Sequence, residues 1–167
     1  MRLIKILLIT LFFNTFAYAD KNMKIGTKGK ESEVSRTIKV VMYDNYYEPS
    51  SFQIKSGETI KFEVENAGML VHEFNIANKM MHMKHQPEMM KMVENEILLV
   101  DRIDKKKMKE LSKKDHSMSH SHSNSVLLEP NQSSEIIWKF NTNVDLEAAC
   151  NVPGHYEAGM IAKINNL

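Results

Sequence analysis

Three side chains that bind transition metals follow one another at equal spacing near the end of the chain. Cys150, His155 and Met160 are separated by four residues at each step. A thiolate, an imidazole and a thioether form the mixed soft donor set that suits an ion cycling between Cu(I) and Cu(II). A trigonal site of this kind needs a second imidazole, and His72 stands in the strand-like stretch 71–76. The sequence therefore predicts a copper site made by these four residues.

The segment that joins the cysteine to the next ligand suits a rigid site. Pro153 fixes the backbone, and Gly154 permits a tight approach just before His155. We expect the backbone amides of Asn151 and Val152 to donate hydrogen bonds to the sulfur and so to tune its electronics.

Cys150 is the only cysteine of the chain, so an internal disulfide is excluded. In an exported protein an odd thiol pairs with another chain, stays free or binds a metal. Ligation also protects a thiolate in an oxidising compartment. Nucleophilic catalysis by Cys150 with His155 is the alternative chemistry, but the sequence supplies neither an oxyanion site nor a third orienting residue. We do not predict an enzyme, although Cu(I) oxidation at the single site is compatible with the donors.

Export is predicted from the first 19 residues. Arg2 and Lys5 make a positive start, an apolar run covers 3–16, and the small residues at 17 and 19 mark a cleavage site. The run is shorter than the roughly 20 apolar residues of a membrane span. We expect a signal peptide over 1–19, release into the periplasm and no stable membrane insertion after cleavage. An uncleaved anchor is the alternative.

The mature charge is close to zero, since removal of Arg2 and Lys5 leaves 20 basic side chains against 21 acidic ones. This balance argues against a nucleic acid partner. A chain of 167 residues suits one domain with a real core.

Short strand-like stretches dominate most of the mature chain. Residues 20–36 begin rich in lysine and glycine, without apolar periodicity, and are predicted to be a flexible leader. Alternating or β-branched stretches then follow with turn signals between them. They cover 37–43, 46–54, 59–65, 71–76, 135–140, 146–150 and 160–164. The pattern predicts an all-β fold, an antiparallel Greek-key β-sandwich, over 37–167.

An insert over 78–125 interrupts this pattern and is rich in methionine and histidine. We predict one or two helices over 87–111 with Pro87 in a first turn. The polar tract 115–124 is predicted to be disordered without metal.

The insert also carries candidate secondary copper ligands, because thioethers select Cu(I) and imidazoles extend the range to Cu(II). Packing of helix faces against the sandwich is the alternative for Met89, Met92 and Leu98. The candidates are Met80, Met81, His82, Met83, His85, Met89, Met90, Met92, His116, Met118, His120 and His122.

The run from Cys150 through His155 to Met160, with His72 upstream, resembles the type 1 copper sites of cupredoxins. The stretch 47–62 is similar to the family's strand, turn and strand before the first histidine, and the resemblance covers 37–76 and 129–164. The Cys-to-His spacing is like that of azurins, and the His-to-Met spacing is like that of plastocyanins. The residue pattern of the ligand loop and the Met/His-rich composition of the insert resemble those of bacterial periplasmic cupredoxins linked to copper tolerance.

The resemblance implies a cupredoxin-like sandwich with His72, Cys150 and His155 as equatorial ligands and Met160 as the axial ligand. It also implies that His155 lies near the surface as the route for electrons. Three functions stay open. The chain serves copper tolerance, carries single electrons to a redox partner such as a cytochrome or a copper-handling protein, or acts as a copper chaperone or store. The exposed clusters of the insert favour the first.

Overall fold

The computed structural model describes residues 25–141 and 144–167. The predicted signal peptide over 1–19 and the first residues of the predicted leader, 20–24, lie outside these residues. The described residues form ten strands. In chain order these are β1 (Thr27–Lys28), β2 (Arg36–Tyr43), β3 (Tyr46–Glu48), β4 (Ser51–Ile54), β5 (Thr59–Asn66), β6 (His72–Ala77), β7 (Ser125–Leu128), β8 (Ser133–Lys139), β9 (Leu146–Ala149) and β10 (Ile161–Asn166).

The strands make two five-stranded sheets, which confirms the predicted β-sandwich. One sheet has the order β1-β8-β5-β2-β3, and the other has the order β4-β10-β9-β6-β7. Most neighbouring strands are antiparallel, as predicted, but β2 runs parallel to β5 and β4 runs parallel to β10. The parallel pairs arise because the chain crosses between sheets, leaving the first sheet for β4 and returning to it for β5.

The main core lies between the sheets and is rich in aromatic rings. The apolar side chains of β5 are buried, while its charged side chains are half-buried or exposed, as strand alternation requires. Phe62 of β5 is fully buried, and its ring centroid lies 5.6 Å from that of Phe52, 5.4 Å from that of Phe74 and 6.2 Å from that of Phe140. These rings join both sheets into one core.

Strand β6 is buried along its whole length, unlike the alternating strands. Phe74 and Ile76 point into the main core. Glu73 lies on the opposite face, where it contacts His85 and His120 of the insert. The insert therefore covers the outer face of β6.

Two helices form in the insert, α1 (Lys79–Glu94) and α2 (Lys105–Leu111). The prediction that a helix begins near Pro87 is wrong, because α1 starts eight residues earlier and runs through the proline. Its start is capped by the Asn78 side chain, which accepts a hydrogen bond of 2.9 Å from the Met81 N–H. Neither helix of the described residues has the length and apolar composition that a membrane span requires.

A second, smaller hydrophobic cluster stabilises the insert. It includes Met89 and Met92 of α1, for which packing is the alternative to metal binding. The cluster reaches β6 through Val71, the residue before that strand. Its buried members are Val71, Met89, Met92, Ile97, Leu98, Ile103 and Met118. The packing of this cluster offsets the cost of Pro87 inside α1, which is about 3 kcal/mol in an isolated helix.

Two segments predicted to lack order are packed on the sandwich. Within the predicted leader, β1 pairs with β8, and the Trp138 indole N–H donates to the Ile25 carbonyl at 3.1 Å. In the polar tract, a 3-10 turn forms over His116–Met118, and Met118 is only 7% exposed. The structure thus gives defined contacts to residues 25–36, predicted as part of a flexible leader, and to this tract, predicted to be disordered without metal. Their few apolar side chains bury against partners distant in sequence.

Replacement of Phe62 by alanine should lower the free energy of unfolding of the metal-free protein by about 3–5 kcal/mol, because it leaves a cavity in the aromatic core. Urea unfolding followed by far-UV circular dichroism measures this loss. Met83→Ala is the control, since Met83 is 58% exposed on α1 and its loss should change stability by less than about 0.5 kcal/mol. Equal effects of the two substitutions would contradict the placement of the core.

Candidate metal centre

One end of the sandwich brings together a thiol and two imidazoles from distant parts of the chain. His72 begins β6, Cys150 directly follows β9, and His155 lies in the loop that leads to β10. The Nδ1 atoms of His72 and His155 are 3.2 Å apart. The Cys150 sulfur lies 3.4 Å from Nδ1 of His155 and 4.0 Å from Nδ1 of His72.

These separations fit a single metal ion. An ion held roughly 2.0–2.3 Å from three donors in one plane separates them by about 3.5 Å. Adjacent strands explain the convergence, since β6 pairs with β9 through Asn75 opposite Ala149, next to the cysteine. Met160, the fourth predicted ligand, is fully buried in the main core, and its carbonyl accepts a hydrogen bond of 3.2 Å from the Cys150 N–H.

Asp44 orients the first histidine of this centre. Its Oδ1 atom lies 2.8 Å from Nε2 of His72, and its carboxylate also accepts the Met69 N–H at 3.0 Å. A carboxylate on the outer nitrogen fixes the tautomer that leaves the other nitrogen free for a metal. Gly68 makes this contact possible, because a Cβ there would lie 2.4 Å from Asp44 Oδ1 and 2.9 Å from His72 Nε2.

Asp44 and the role of Gly68 were missed by sequence reasoning. Asp44 lies 28 residues from His72, and its type and position show no motif. The only local signal is Gly68 itself, which lies between two predicted strands and indicates a turn but no contact with a metal ligand.

The Cys150 sulfur is fully buried and accepts backbone hydrogen bonds. The Glu73 N–H lies 3.3 Å from it, and the Val152 N–H also donates to it, as expected. The expected donation from Asn151 is wrong, because the Asn151 N–H donates to the Glu73 carboxylate at 3.1 Å. Burial raises the pKa of the Cys150 thiol to about 12. The thiolate therefore forms only when a cation replaces its proton.

The two imidazoles are poised as neutral donors. Burial lowers the pKa of His72 and also that of His155, although Asp44 acts in the opposite direction on both. Neutral rings offer a lone pair at the Nδ1 atoms that face the sulfur. His155 is only half-buried, whereas His72 is completely buried.

The ligand loop is held by its own backbone. The His155 N–H donates to the Val152 carbonyl at 2.9 Å, and the Met160 N–H donates to the His155 carbonyl at 3.0 Å. Gly154 and Gly159 adopt φ of +90° and +89°, which L side chains rarely adopt. Among the described residues, no atom would lie within 4 Å of a Cβ at either glycine. Backbone freedom, and not space, explains these glycines.

Glu73 connects this centre to the insert. Its carboxylate is fully buried and lies 2.7 Å from Nε2 of His120 and 3.1 Å from Nε2 of His85. Burial alone raises the pKa of Glu73, but the charges and hydrogen bonds of the two histidines hold it well below its usual range. Glu73 is therefore a carboxylate that stands one residue from His72.

Comparison with known proteins identifies the family. The family model of the cupredoxin-like domain matches residues 6–102. The copper-resistant cuproprotein CopI of Pseudomonas aeruginosa strain PAO1 is 38% identical over 153 residues, which cover 83% of this chain and 80% of the relative. The chain belongs to the cupredoxin-like family.

Further cupredoxin relatives share less sequence. The copper-resistant cuproprotein CopI of Rubrivivax gelatinosus is 29% identical and covers 87% of this chain and 74% of its own length. Two solved structures share the fold. Auracyanin of Roseiflexus castenholzii matches with a TM-score of 0.56 at 17% identity, over 80% of this chain and 98% of the other. An azurin of Methylomonas sp. strain J matches with a TM-score of 0.54 at 11% identity, over 80% of this chain and 99% of the azurin.

The candidate secondary ligands divide into buried and exposed groups in this cupredoxin. Met89, Met92 and Met118 lie in the small core of the insert, so the alternative of packing describes the first two and also holds for Met118. Met118 is the only apolar side chain of its tract, which explains its burial. The remaining methionines are exposed to solvent, by 38% to 58%. They are Met80, Met81, Met83 and Met90.

The candidate histidines also have different surroundings. His82 is fully buried, and its Nδ1 atom lies 3.1 Å from the Asn151 side-chain amide, so it packs on the ligand loop. His85 and His120 contact Glu73, while His122 lies beside them. His116 is exposed.

Removal of the Asp44 carboxylate should weaken copper binding at the centre. We expect Asp44→Ala to lower Cu(II) affinity by about 10–100-fold, because His72 loses the partner that orients its ring. Titration against a competing chelator, followed by visible absorption, measures the change. Asp145→Ala is the control, since Asp145 is exposed just before β9. An unchanged affinity in Asp44→Ala would rule out this orienting role.

Proposed function

We propose that this cupredoxin is an exported type 1 copper protein that serves copper tolerance in the periplasm. One observation carries the proposal. His72, Cys150 and His155 converge within 4.0 Å at one end of a rigid sandwich, with the donor types that copper prefers. The relatives named copper-resistant cuproproteins support the link to tolerance. The predicted signal peptide over 1–19 supports export.

The residues of the chain explain how such a site would work. His72, Cys150 and His155 would hold the ion, and Met160 would supply the weak axial thioether. Bound copper supplies one-electron chemistry by alternating between Cu(I) and Cu(II). Asp44 holds one imidazole in place, and the N–H groups of Glu73 and Val152 stabilise charge on the sulfur.

The rigidity of the surroundings suits electron exchange. His72 lies on a paired strand, Cys150 directly follows one, and His155 and Met160 lie on or at the end of a loop closed by its own hydrogen bonds, so the fold restrains the donors. His155 is the half-buried donor and gives electrons a short path to the surface. These features support binding and redox exchange of copper, in contrast to turnover of an organic substrate.

The exposed part of the insert supports a role in copper capture. Met80, Met81, Met83 and Met90 present thioethers to solvent on α1. Thioethers bind Cu(I) and remain uncharged in an oxidising compartment. A pure store or chaperone, the third function considered, does not require the dry centre around Cys150.

A single-electron carrier is the second candidate, and one surface favours it. An apolar cleft of about 320 Å³ lies beside His155 and is lined by residues that include Leu70, Val100 and Pro153. Val100 is 74% exposed. An apolar surface around the half-buried His155 would let a redox partner approach closely.

Replacement of Cys150 by serine should abolish the intense visible absorption of the copper-loaded protein, because the sulfur-to-copper transition is lost. Absorption spectra of the purified protein after addition of Cu(II) test this. His116→Asn is the control and should retain the band, since His116 is exposed and is not one of the donors that converge at the centre. A Cys150→Ser variant that keeps its colour would contradict the assignment.

Growth in copper separates tolerance from storage. In cells that depend on this protein for growth at high copper, Cys150→Ser should fail to restore growth. The leucine variant of all four exposed methionines should restore it only partly, because leucine keeps the volume and removes the sulfur. Full growth with Cys150→Ser, together with lost growth in the leucine variant, would favour a store.

A charge in the apolar cleft should slow electron transfer between copies of the protein. We expect Val100→Asp to lower the electron self-exchange rate by about tenfold at low salt, since two copies would then meet with like charges. Nuclear magnetic resonance line broadening in mixtures of the oxidised and reduced protein measures the rate. Leu167→Asp, at a position 70% exposed, is the control. Equal rates in the two variants would exclude the cleft as a docking surface.

A further inference from the structure

A buried carboxylate lies outside the first centre with several donors pointing at it. Glu73 is fully buried between β6 and the insert. Its Oε1 atom lies 2.7 Å from Nε2 of His120, 3.1 Å from Nε2 of His85 and 3.0 Å from the Asn75 side-chain amide. A buried charge of this kind needs positive charge close by.

The histidines converge in a way that suits one cation. One ring nitrogen of His85, one ring nitrogen of His120 and a carboxylate oxygen of Glu73 all lie within 4.8 Å of one another. The ring of His122 stands beside both, with its centroid 5.3 Å from that of His85 and 5.5 Å from that of His120. Several protonated rings at these distances would repel one another, whereas one divalent ion supplies the same charge at a single point.

A second carboxylate orients His85 from the other side. Oε2 of Glu88 lies 2.8 Å from Nδ1 of His85, which leaves Nε2 directed at Glu73. A carboxylate on the outer nitrogen of a histidine is the usual partner of a metal ligand. Asp44 has the same relation to His72 in the first centre.

We propose that Glu73, His85 and His120 form a second metal site that binds Cu(II). The donors are two imidazoles and a carboxylate, which suit a divalent ion. This set contains no sulfur, the soft donor that selects Cu(I). Sites with nitrogen and oxygen donors bind Cu(II) most strongly among the divalent metals of the first row. The choice of copper rests on the proposed function, whereas the site itself rests on the geometry.

The second site shares a residue with the first. The Glu73 backbone N–H donates to the Cys150 sulfur, while its Oε2 atom accepts hydrogen bonds from the Asn151 backbone N–H at 3.1 Å and side-chain amide at 2.7 Å. An ion at the Glu73 carboxylate is therefore held by the strand that positions the thiol. The proposed second site is therefore built around a buried residue of the sandwich, unlike a set of ligands that all lie on an exposed segment.

Copper stoichiometry in four forms of the full chain tests the proposal. The forms are the original protein, Cys150→Ser, the double variant His85→Asn with His120→Asn, and His116→Asn. Each is loaded with Cu(II) sulfate, freed of loose metal by gel filtration, and analysed for bound copper and by electron paramagnetic resonance. His116→Asn is the matched control, because His116 belongs to the same tract but is exposed and, among the described residues, joins no group of three converging metal-binding side chains.

We expect the double variant to bind one Cu(II) fewer than the original protein while its visible band remains. The retained band also shows that the variant is folded. Cys150→Ser should lose the band and keep the Cu(II) resonance of a site with nitrogen and oxygen donors. His116→Asn should match the original protein in both readouts.

A double variant that binds as much Cu(II) as the original protein would overturn the second site and show that these histidines only neutralise Glu73. The result is separate from the fate of the first centre. If Cys150→Ser kept the visible band, the proposed function would fail while the copper count in the double variant still decided the second site.

Discussion

The centre depends on keeping one sulfur atom away from water. Cys150 is completely buried, and that burial raises the pKa of its thiol to about 12. A thiolate in this position is stable only beside a metal and with N–H groups directed at it. The N–H groups come from β6, through Glu73, and from the ligand loop, through Val152. Burial of the sulfur and the placement of these N–H groups depend on the two packed sheets, on the pairing of β6 with β9 and on the closed ligand loop.

The insert is part of the same requirement. Without α1 and the tract after α2, the outer face of β6 would be open, and the Glu73 carboxylate would stand in water beside the centre. His82 packs on Asn151 of the ligand loop, and the small core around Met89 and Met92 holds α1 in place. The methionines of α1 therefore divide by position, with some closing the fold and others facing solvent. Methionine packs the core of the insert where it is buried, and under the proposed function it captures copper where it is exposed.

The proposed sites form a series of different donors around one strand. Exposed thioethers on α1 suit Cu(I), the sulfur and imidazoles of the first centre suit both oxidation states, and the imidazoles around Glu73 suit Cu(II). In both buried sites a carboxylate, Asp44 or Glu88, orients a histidine through its outer nitrogen. Such an arrangement would let one small domain handle copper as its oxidation state changes.

The sequence was sufficient to predict the donor types, the spacing from Cys150 to Met160 and the alternation of most strands, because these are local patterns. It did not determine the start of α1 or the order of the tract 115–124. Helix α1 starts at the Asn78 cap and passes through the proline because Met89 and Met92 are buried in the small core of the insert. The polar tract is held because Met118 is buried in the same core and His120 contacts Glu73. The contacts of Asp44 with His72 and of Glu73 with Asn151 join residues 28 and 78 positions apart. These contacts follow from the fold, since hydrogen bonds between residues that are distant in the chain leave no local pattern.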